Sequence, residues 1–345
     1  PGSTSPRIEE RPIHTSFLQR LPGAQRHHRR YLPLFPAAIE RLDLRGFDLV
    51  VSSSHCVAKG VRPPPGVPHL CYCHTPMRYV WDLYDDYFGP GRASAPVRLA
   101  MPALARRLRR WDARTARRVH AFVACSRHVR ERIRRCYGRD ADVVYPPVAI
   151  ERFRPARERE EFYLVVSALV PYKRIDLAVE AFNRLGRPLV VAGDGPELHR
   201  LRRAARPNIR FTGWIEDDEV ADLLGRCRAF VFPGVEDFGI TAVEAQAAGA
   251  PVIAFGAGGA RETVIPWEGD DAGPAPGATG VFFHEQTPEA LMTAVLRAER
   301  LAFDPATLRG HAARFSPDAF RRGIRARAAA LLRTFRPEHE PARAR

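Results

Sequence analysis

Glu236 and Glu244 stand eight positions apart in the stretch Phe232-Pro-Gly-Val-Glu-Asp-Phe-Gly-Ile-Thr-Ala-Val-Glu244. The run Arg228-Ala-Phe-Val-Phe232 before them has the composition of a strand buried on both faces, and Pro233-Gly234 ends it. A loop carrying Glu236 follows, then Gly239, then a helix whose first turns hold Glu244. Unpaired backbone N–H groups and the positive end of the helix dipole make such a junction attractive to anions. Carboxylates cannot serve phosphates, which repel them, but they accept hydrogen bonds from sugar hydroxyls. Phosphate in the middle and hydroxyls at both ends describes a nucleotide-sugar. Taken alone, the glutamates are equally well explained by capping and a solvated first turn.

The bulk properties narrow the setting. A chain of 345 residues suits two domains rather than one core. No apolar run approaches the roughly 18–20 residues of a membrane span, and no signal peptide is visible. Six cysteines do not suggest a disulfide framework in a chain of this length. Cys71-Tyr-Cys73-His74 lacks a second Cys/His pair at zinc-ligand spacing. These features lead us to expect a cytoplasmic protein. The net charge is +15, and residues 101–140 hold 13 Arg against Asp112, Glu131 and Asp140. Only Lys59 and Lys173 are lysines, so the position of each is informative.

Apolar runs alternate with helical stretches, which argues for βαβ units and parallel sheets. The strand candidates are 47–54, 69–75, 121–126 and 142–148 in the first half. In the second they are 162–169, 188–193, 209–214, 229–233, 251–255 and 280–283. Helical periodicity marks 175–185, 217–224 and 288–301. The Pro-rich segment Tyr145-Pro-Pro-Val-Ala-Ile-Glu-Arg-Phe-Arg-Pro155 is the expected linker. We therefore expect an incomplete Rossmann-like acceptor-side domain over 1–150 and a nucleotide-binding one over 151–335, with a disordered tail over 336–345. No strand with a Gly-rich turn precedes residue 47, so the first domain reads as truncated at its N-terminus.

Several segments together carry a family resemblance. They are Val51-Ser-Ser-Ser-His-Cys-Val-Ala-Lys-Gly60, Cys71-Tyr-Cys-His-Thr-Pro-Met-Arg-Tyr79, Val144-Tyr-Pro-Pro-Val148, Val170-Pro-Tyr-Lys-Arg-Ile-Asp-Leu177, Gly193-Asp-Gly-Pro-Glu197, the two-glutamate stretch and Ala257-Gly-Gly-Ala-Arg-Glu-Thr263. In this order they resemble the family 4 retaining glycosyltransferases of GT-B fold, with two facing Rossmann-like domains. Among these the bacterial O-antigen and exopolysaccharide mannosyltransferases are most similar. The resemblance implies that Glu236 contacts the donor sugar and Glu244 the ribose. It implies that backbone amides of Phe238, Gly239, Ile240 and Thr241 receive the diphosphate and that Lys173 neutralises it. His74 would face the donor near the reacting carbon. It also implies that the helix over 317–335 packs back on the first domain. Two departures stand out. Ala168 occupies the position, five before the lysine, where the family carries an Arg, so Arg78 or Arg174 would have to reach in. The opening strand and Gly-rich loop have no counterpart, so the chain as given is expected to be short of a complete enzyme.

The expected reaction moves mannose from GDP-mannose onto a hydroxyl of a lipid-linked saccharide, with retention. No cofactor or metal is called for, because Lys173 and the helix dipole can take a metal's electrostatic role. The alternatives are a UDP-sugar donor or a catalytically incompetent nucleotide-binding assembly protein. Gly256-Ala-Gly-Gly259 imitates a dinucleotide fingerprint but puts Arg261 at its third glycine position, so a tight turn or an approach to the donor explains it. Met101, Leu104, Leu108, Trp111, Thr115 and Val119 line one helical face, with arginines largely outside it. Such a helix either lies on an anionic membrane, peripheral to its inner face, or buries Trp111 in the domain core. No nucleic-acid motif accompanies the charge.

Overall fold

Ten apolar runs bounded by turn residues become the ten strands of two sheets, in a computed structural model that describes residues 6–156, 158–269 and 272–336. Two compact units result. One comprises Pro1–Ala124, Val129–Asp142 and Ala326–Arg345, the other Cys125–His128 and Val143–Arg325. The last ten residues of the predicted tail, apart from Arg336, lie outside the described residues.

In the first unit β1 (Val50–Ser54), β2 (His69–Cys73), β3 (Ala121–Ala124) and β4 (Asp142–Val143) lie in the order β1-β2-β3-β4. The pairs β1–β2 and β2–β3 are parallel, with Ser53 opposite Tyr72 and Ser54 opposite Cys73. The helix Ala95–Thr115 turns Met101, Ala105, Leu108, Trp111 and Thr115 inward, and Leu108 and Trp111 pack with Met77 and Val80. This corrects one of the two readings of that stretch. Its apolar face is used by the domain core and is not free to enter a membrane.

The second unit adds β5 (Tyr163–Val166), β6 (Leu189–Ala192), β7 (Ile209–Gly213), β8 (Ala229–Phe232), β9 (Val252–Phe255), β10 (Gly273–Pro274), β11 (Gly280–Phe283) and β12 (Leu301–Ala302). Six of them form a parallel sheet in the order β11-β9-β8-β5-β6-β7, while β10 and β12 make a separate short pair. Along β8, Phe230 and Phe232 join one buried cluster and Ala229 and Val231 the other. Both faces are covered, which is why these strands read as unbroken apolar runs. Phe230 is fully buried, and its removal would cost about 3–5 kcal/mol.

The helices follow their end signals. Ile175–Leu185 buries Ile175, Leu177, Ala178, Val179, Ala181 and Phe182, and stops at Gly186, whose φ of 68° only glycine adopts without strain. Pro288–Glu299 begins at Thr287, whose side chain accepts from the Ala290 N–H. The strand order dictates where a ligand belongs. From β5 the chain winds outward through β6 and β7, then returns to β8 on the other side of β5. The carboxyl ends of β5 and β8 therefore flank a switch point, where open α/β sheets leave a crevice.

Candidate functional site

A cleft of about 450 Å³ lies at that switch point. Its wall takes Ser167, Ala168 and Lys173 from beyond β5, and Gly193 and Asp194 from beyond β6. Trp214, Ile215 and Asp217 come from beyond β7, Glu236 and Thr241 from beyond β8. Lys173 and Glu236 form an ion pair in this wall, with side-chain exposures of 20% and 14%. Gly234 permits this approach, because a Cβ there would come within 2.9 Å of the Lys173 carbonyl. Ala168 lines the same wall, so the position where the family has a guanidinium is filled by a methyl group.

The helix Ile240–Ala247 starts at Gly239, which has a φ of 93°. Among the described residues no acceptor faces the amides of Phe238, Gly239, Ile240 and Thr241. Open donors at a helix start attract anions. The Phe238 side chain is not part of the wall. It is buried, stacked on Tyr145 and edge-on to Phe315, and so anchors the loop from behind. Gly259 resolves the false dinucleotide signal, since a Cβ there would collide with the Phe238 backbone while its N–H binds the Glu236 carbonyl at 2.8 Å. Those glycines brace the Glu236 loop.

Glu244 follows Thr241 by three residues and so shares its helical face. Burial raises its carboxyl to about 7; Arg152 opposes this and Asp217 adds to it. Arg152 and Asp217 are themselves paired at 3.1 Å. A carboxyl so desolvated gains from hydroxyl donors that can replace the missing water.

Arg174 does not turn toward this wall. Its guanidinium reaches Asp176 at 3.3 Å and Gln286 at 3.4 Å, while its backbone sits in the left-handed region at φ 57°. It is the only described non-glycine residue with positive φ, a conformation that costs about 1 kcal/mol or more.

In the first unit His74 stands at the carboxyl end of β2. Its Nε2 lies 2.8 Å from Ser53 Oγ and its ring meets Tyr72 edge-on at 5.0 Å. Arg78 opens the short helix Arg78–Trp81 just beyond, half-buried. Ser53 escaped the sequence reading, because its link to His74 crosses two strands whose register no local pattern reveals. Asp217 also escaped, since an acid in a helix's first turn looks like a cap. Lys59 is a different case. It is buried with Asp112, Nζ to Oδ1 at 2.8 Å, and also meets the Asp112 carbonyl at 2.5 Å and Thr115 Oγ1 at 3.0 Å.

Comparison with known proteins bears on both units. Residues 2–152 match the family model described as Glycosyltransferase Family 4, and residues 149–313 the model described as Glycosyl transferases group 1. The chain is 34% identical to a GDP-mannose-dependent alpha-(1-6)-phosphatidylinositol monomannoside mannosyltransferase of Mycobacterium tuberculosis, over 40% of this chain and 44% of that protein. It is 35% identical to O-antigen chain mannosyltransferase C of Escherichia coli over 27% of each. The matches thus span half or less of these relatives. Among solved structures, sucrose-phosphate synthase from Thermosynechococcus elongatus superposes with a TM-score of 0.67 at 19% identity, covering 89% of this chain and 79% of that one. At that identity the likeness speaks for the fold.

Proposed function

We propose that this chain, which belongs to the family 4 glycosyltransferases and has their GT-B fold of two Rossmann-like domains, transfers a hexose from a nucleotide-sugar to a saccharide hydroxyl. The observation that carries this reading is one cleft wall that holds Lys173, Glu236 and Thr241, the last from a helix start whose amides, Phe238–Thr241, meet no acceptor among the described residues. In our reading the diphosphate takes the amides and Lys173. Parting from the ammonium, Glu236 accepts the sugar hydroxyls, and Glu244 accepts those of the ribose. As the bond from the sugar to the diphosphate breaks, negative charge grows on the leaving phosphate. Lys173 and the helix start would stabilise that charge in place, which is where the largest catalytic gain lies. Retention, by analogy with the family, fits a front-face displacement assisted by the donor phosphate. His74, oriented by Ser53, would contact the sugar from the first domain.

Mannose from GDP-mannose is our choice of donor, supported by two relatives named as mannosyltransferases. A lipid-linked acceptor, and with it work at the cytoplasmic membrane face, is part of the same reading, supported by one relative's phosphatidylinositol monomannoside. No cofactor enters this scheme. A panel of GDP-, UDP- and ADP-sugars with product detection tests it. GDP-mannose should be turned over, and Glu236→Gln should lower turnover by about 100-fold or more while leaving GDP affinity nearly intact. Turnover of UDP-sugars alone would reassign the donor. Nucleotide binding with no donor turned over would favour a binding protein that lacks activity.

A further inference from the structure

A cavity of about 800 Å³ opens within the first unit, at the edge of its sheet opposite His74. Three stretches far apart in sequence supply its wall. Arg62–Val67 leads into β2, residues 117–120 lead into β3, and the third stretch is the end of the helix Pro317–Thr334 with Phe335 and Arg336 beyond it. Because β2 and β3 are parallel, the segments entering them share the amino edge of the sheet. His74 follows the other end of β2, five residues or about 16 Å away. A ligand at the amino edge leaves the His74 edge open.

Four guanidiniums line this cavity, those of Arg62, Arg117, Arg118 and Arg336, and among the described residues no carboxylate does. The donor cleft differs, since its wall sets Lys173 among Asp194, Asp217 and Glu236. Glu40, outside the wall, orients two of the four arginines. Its Oε2 meets Arg62 Nη2 at 2.5 Å and its Oε1 meets Arg118 Nη1 at 2.9 Å, with Trp111 Nε1 on the same Oε1 at 2.9 Å. One carboxylate shared by two guanidiniums leaves positive charge in excess. Arg117 is not needed to satisfy the backbone here, because Arg139 already reaches the carbonyls of Ala116, Val119 and His120. Arg336 donates through Nη1 to the carbonyls of Arg333 and Phe335 at the helix end. Cationic charge gathered around one concavity draws an anion into it.

The rest of the wall suits a flat ring. The Val67 N–H meets the Pro64 carbonyl at 3.1 Å across Gly66, whose φ is 77°, so Pro63–Pro65 form a stiff wall without N–H donors. The Phe335 ring meets the His120 ring edge-on at 4.8 Å. His120 Nδ1 accepts the His69 N–H at 2.9 Å, which puts the proton of the neutral ring on Nε2. We propose that this cavity binds a nucleoside triphosphate, with the phosphates among the four guanidiniums and the base against Phe335 and the prolines. Arginines alone would take any polyanion, whereas the aromatic and proline wall selects one that carries a base. The cavity's volume lies within the roughly 300–1,000 Å³ usual for small-molecule sites. This site is independent of the donor assigned above.

Calorimetric titration with ATP, of the wild type and of Lys173→Ala in parallel, tests this without any turnover. Both proteins should bind ATP at a site that loss of Lys173 leaves unchanged, whatever the donor cleft holds. Arg117→Gln and Arg336→Gln combined should weaken ATP at that site by about tenfold or more. The melting temperature should stay unchanged, since neither arginine has a carboxylate partner among the described residues. Phe335→Ala should weaken ATP by about tenfold and leave inorganic tripolyphosphate unaffected. The proposal would be overturned by ATP binding that disappears with Lys173, or by an undiminished double variant. Tripolyphosphate bound as tightly as ATP, or an oligothymidylate that displaces ATP, would overturn it equally.

Discussion

The two lysines each pair with an acid, and the two pairs could hardly differ more. Lys59 and Asp112 are 1% and 0% exposed, sealed beneath the Ala95–Thr115 helix. Three oxygens surround the ammonium, Trp81 Nε1 and Tyr137 OH both donate to Asp112 Oδ2 at 2.8 Å, and Tyr137's ring lies 4.6 Å from Nζ. Lys173 and Glu236 form the wall of an open cleft, held there by backbone contacts behind them. A pair whose bonding capacity is used internally fixes a fold. A pair at a cleft that Thr241 also lines, from a helix start whose amides meet no acceptor among the described residues, can be opened by a ligand that satisfies both ends. Composition made both lysines look equally significant, and their surroundings separate them.

The contrast can be broken experimentally. Lys59→Ala should destabilise the protein by about 3–5 kcal/mol, because it strands a buried carboxylate. Denaturant unfolding reads this. Lys59→Met with Asp112→Leu should recover part of the loss, but not all, since Trp81 and Tyr137 then lose their acceptor. A Lys59 variant of normal stability with weakened nucleotide affinity would reverse the roles assigned here.

Glu244 sharpens the comparison, as a carboxyl kept partly buried with no cation bound to it among the described residues. Its raised folded value, about 7 against an ordinary 4.5, means the folded protein holds this proton more tightly. The associated stability is present below about pH 4.5 and is lost as pH rises through about 7. Glu244→Gln should therefore flatten that slope, stabilising the protein at pH 8 by about 1–2 kcal/mol after allowance for partial exposure. Nucleoside affinity should run the other way. Ionised Glu244 is the better acceptor for ribose hydroxyls, so binding should tighten as pH passes about 7, and the glutamine variant should lose that dependence. A pH-independent wild type would remove Glu244 from the ribose.

Arg174→Gly gives the smallest effect. Relief of its left-handed backbone offsets the lost contacts to Asp176 and Gln286, leaving stability within about 1 kcal/mol of wild type. Diphosphate affinity should not change. A tenfold loss would mean that Arg174 swings toward the ligand after all.

Much of this was legible because parallel strands buried on both faces carry unbroken apolar runs, as Ala229–Phe232 and Val252–Phe255 do. Strands β10 and β12 escaped because two residues carry no pattern. Glu236 and the helix start after it could be named from the strand–loop–helix grammar around them, whereas the roles of Lys173 and of the Phe238–Thr241 amides came with the family resemblance. Ser53 and Asp217 could not, since what places them is register across a sheet and helix packing. The Ala95–Thr115 helix shows the limit of periodicity most plainly. Its 3.6-residue repeat identified an apolar face, but only the packing reveals that this face is the core side and that Leu99 heads the outer one.

The claim that the cleft holds the diphosphate of a nucleotide-sugar is tested most directly by calorimetric titration of Lys173→Ala with GDP and with guanosine. Removal of a cation bonded to phosphate should weaken GDP by about 1.5–3 kcal/mol, roughly 10- to 150-fold, and leave guanosine unchanged. Equal losses for both ligands, or none for either, would contradict the account.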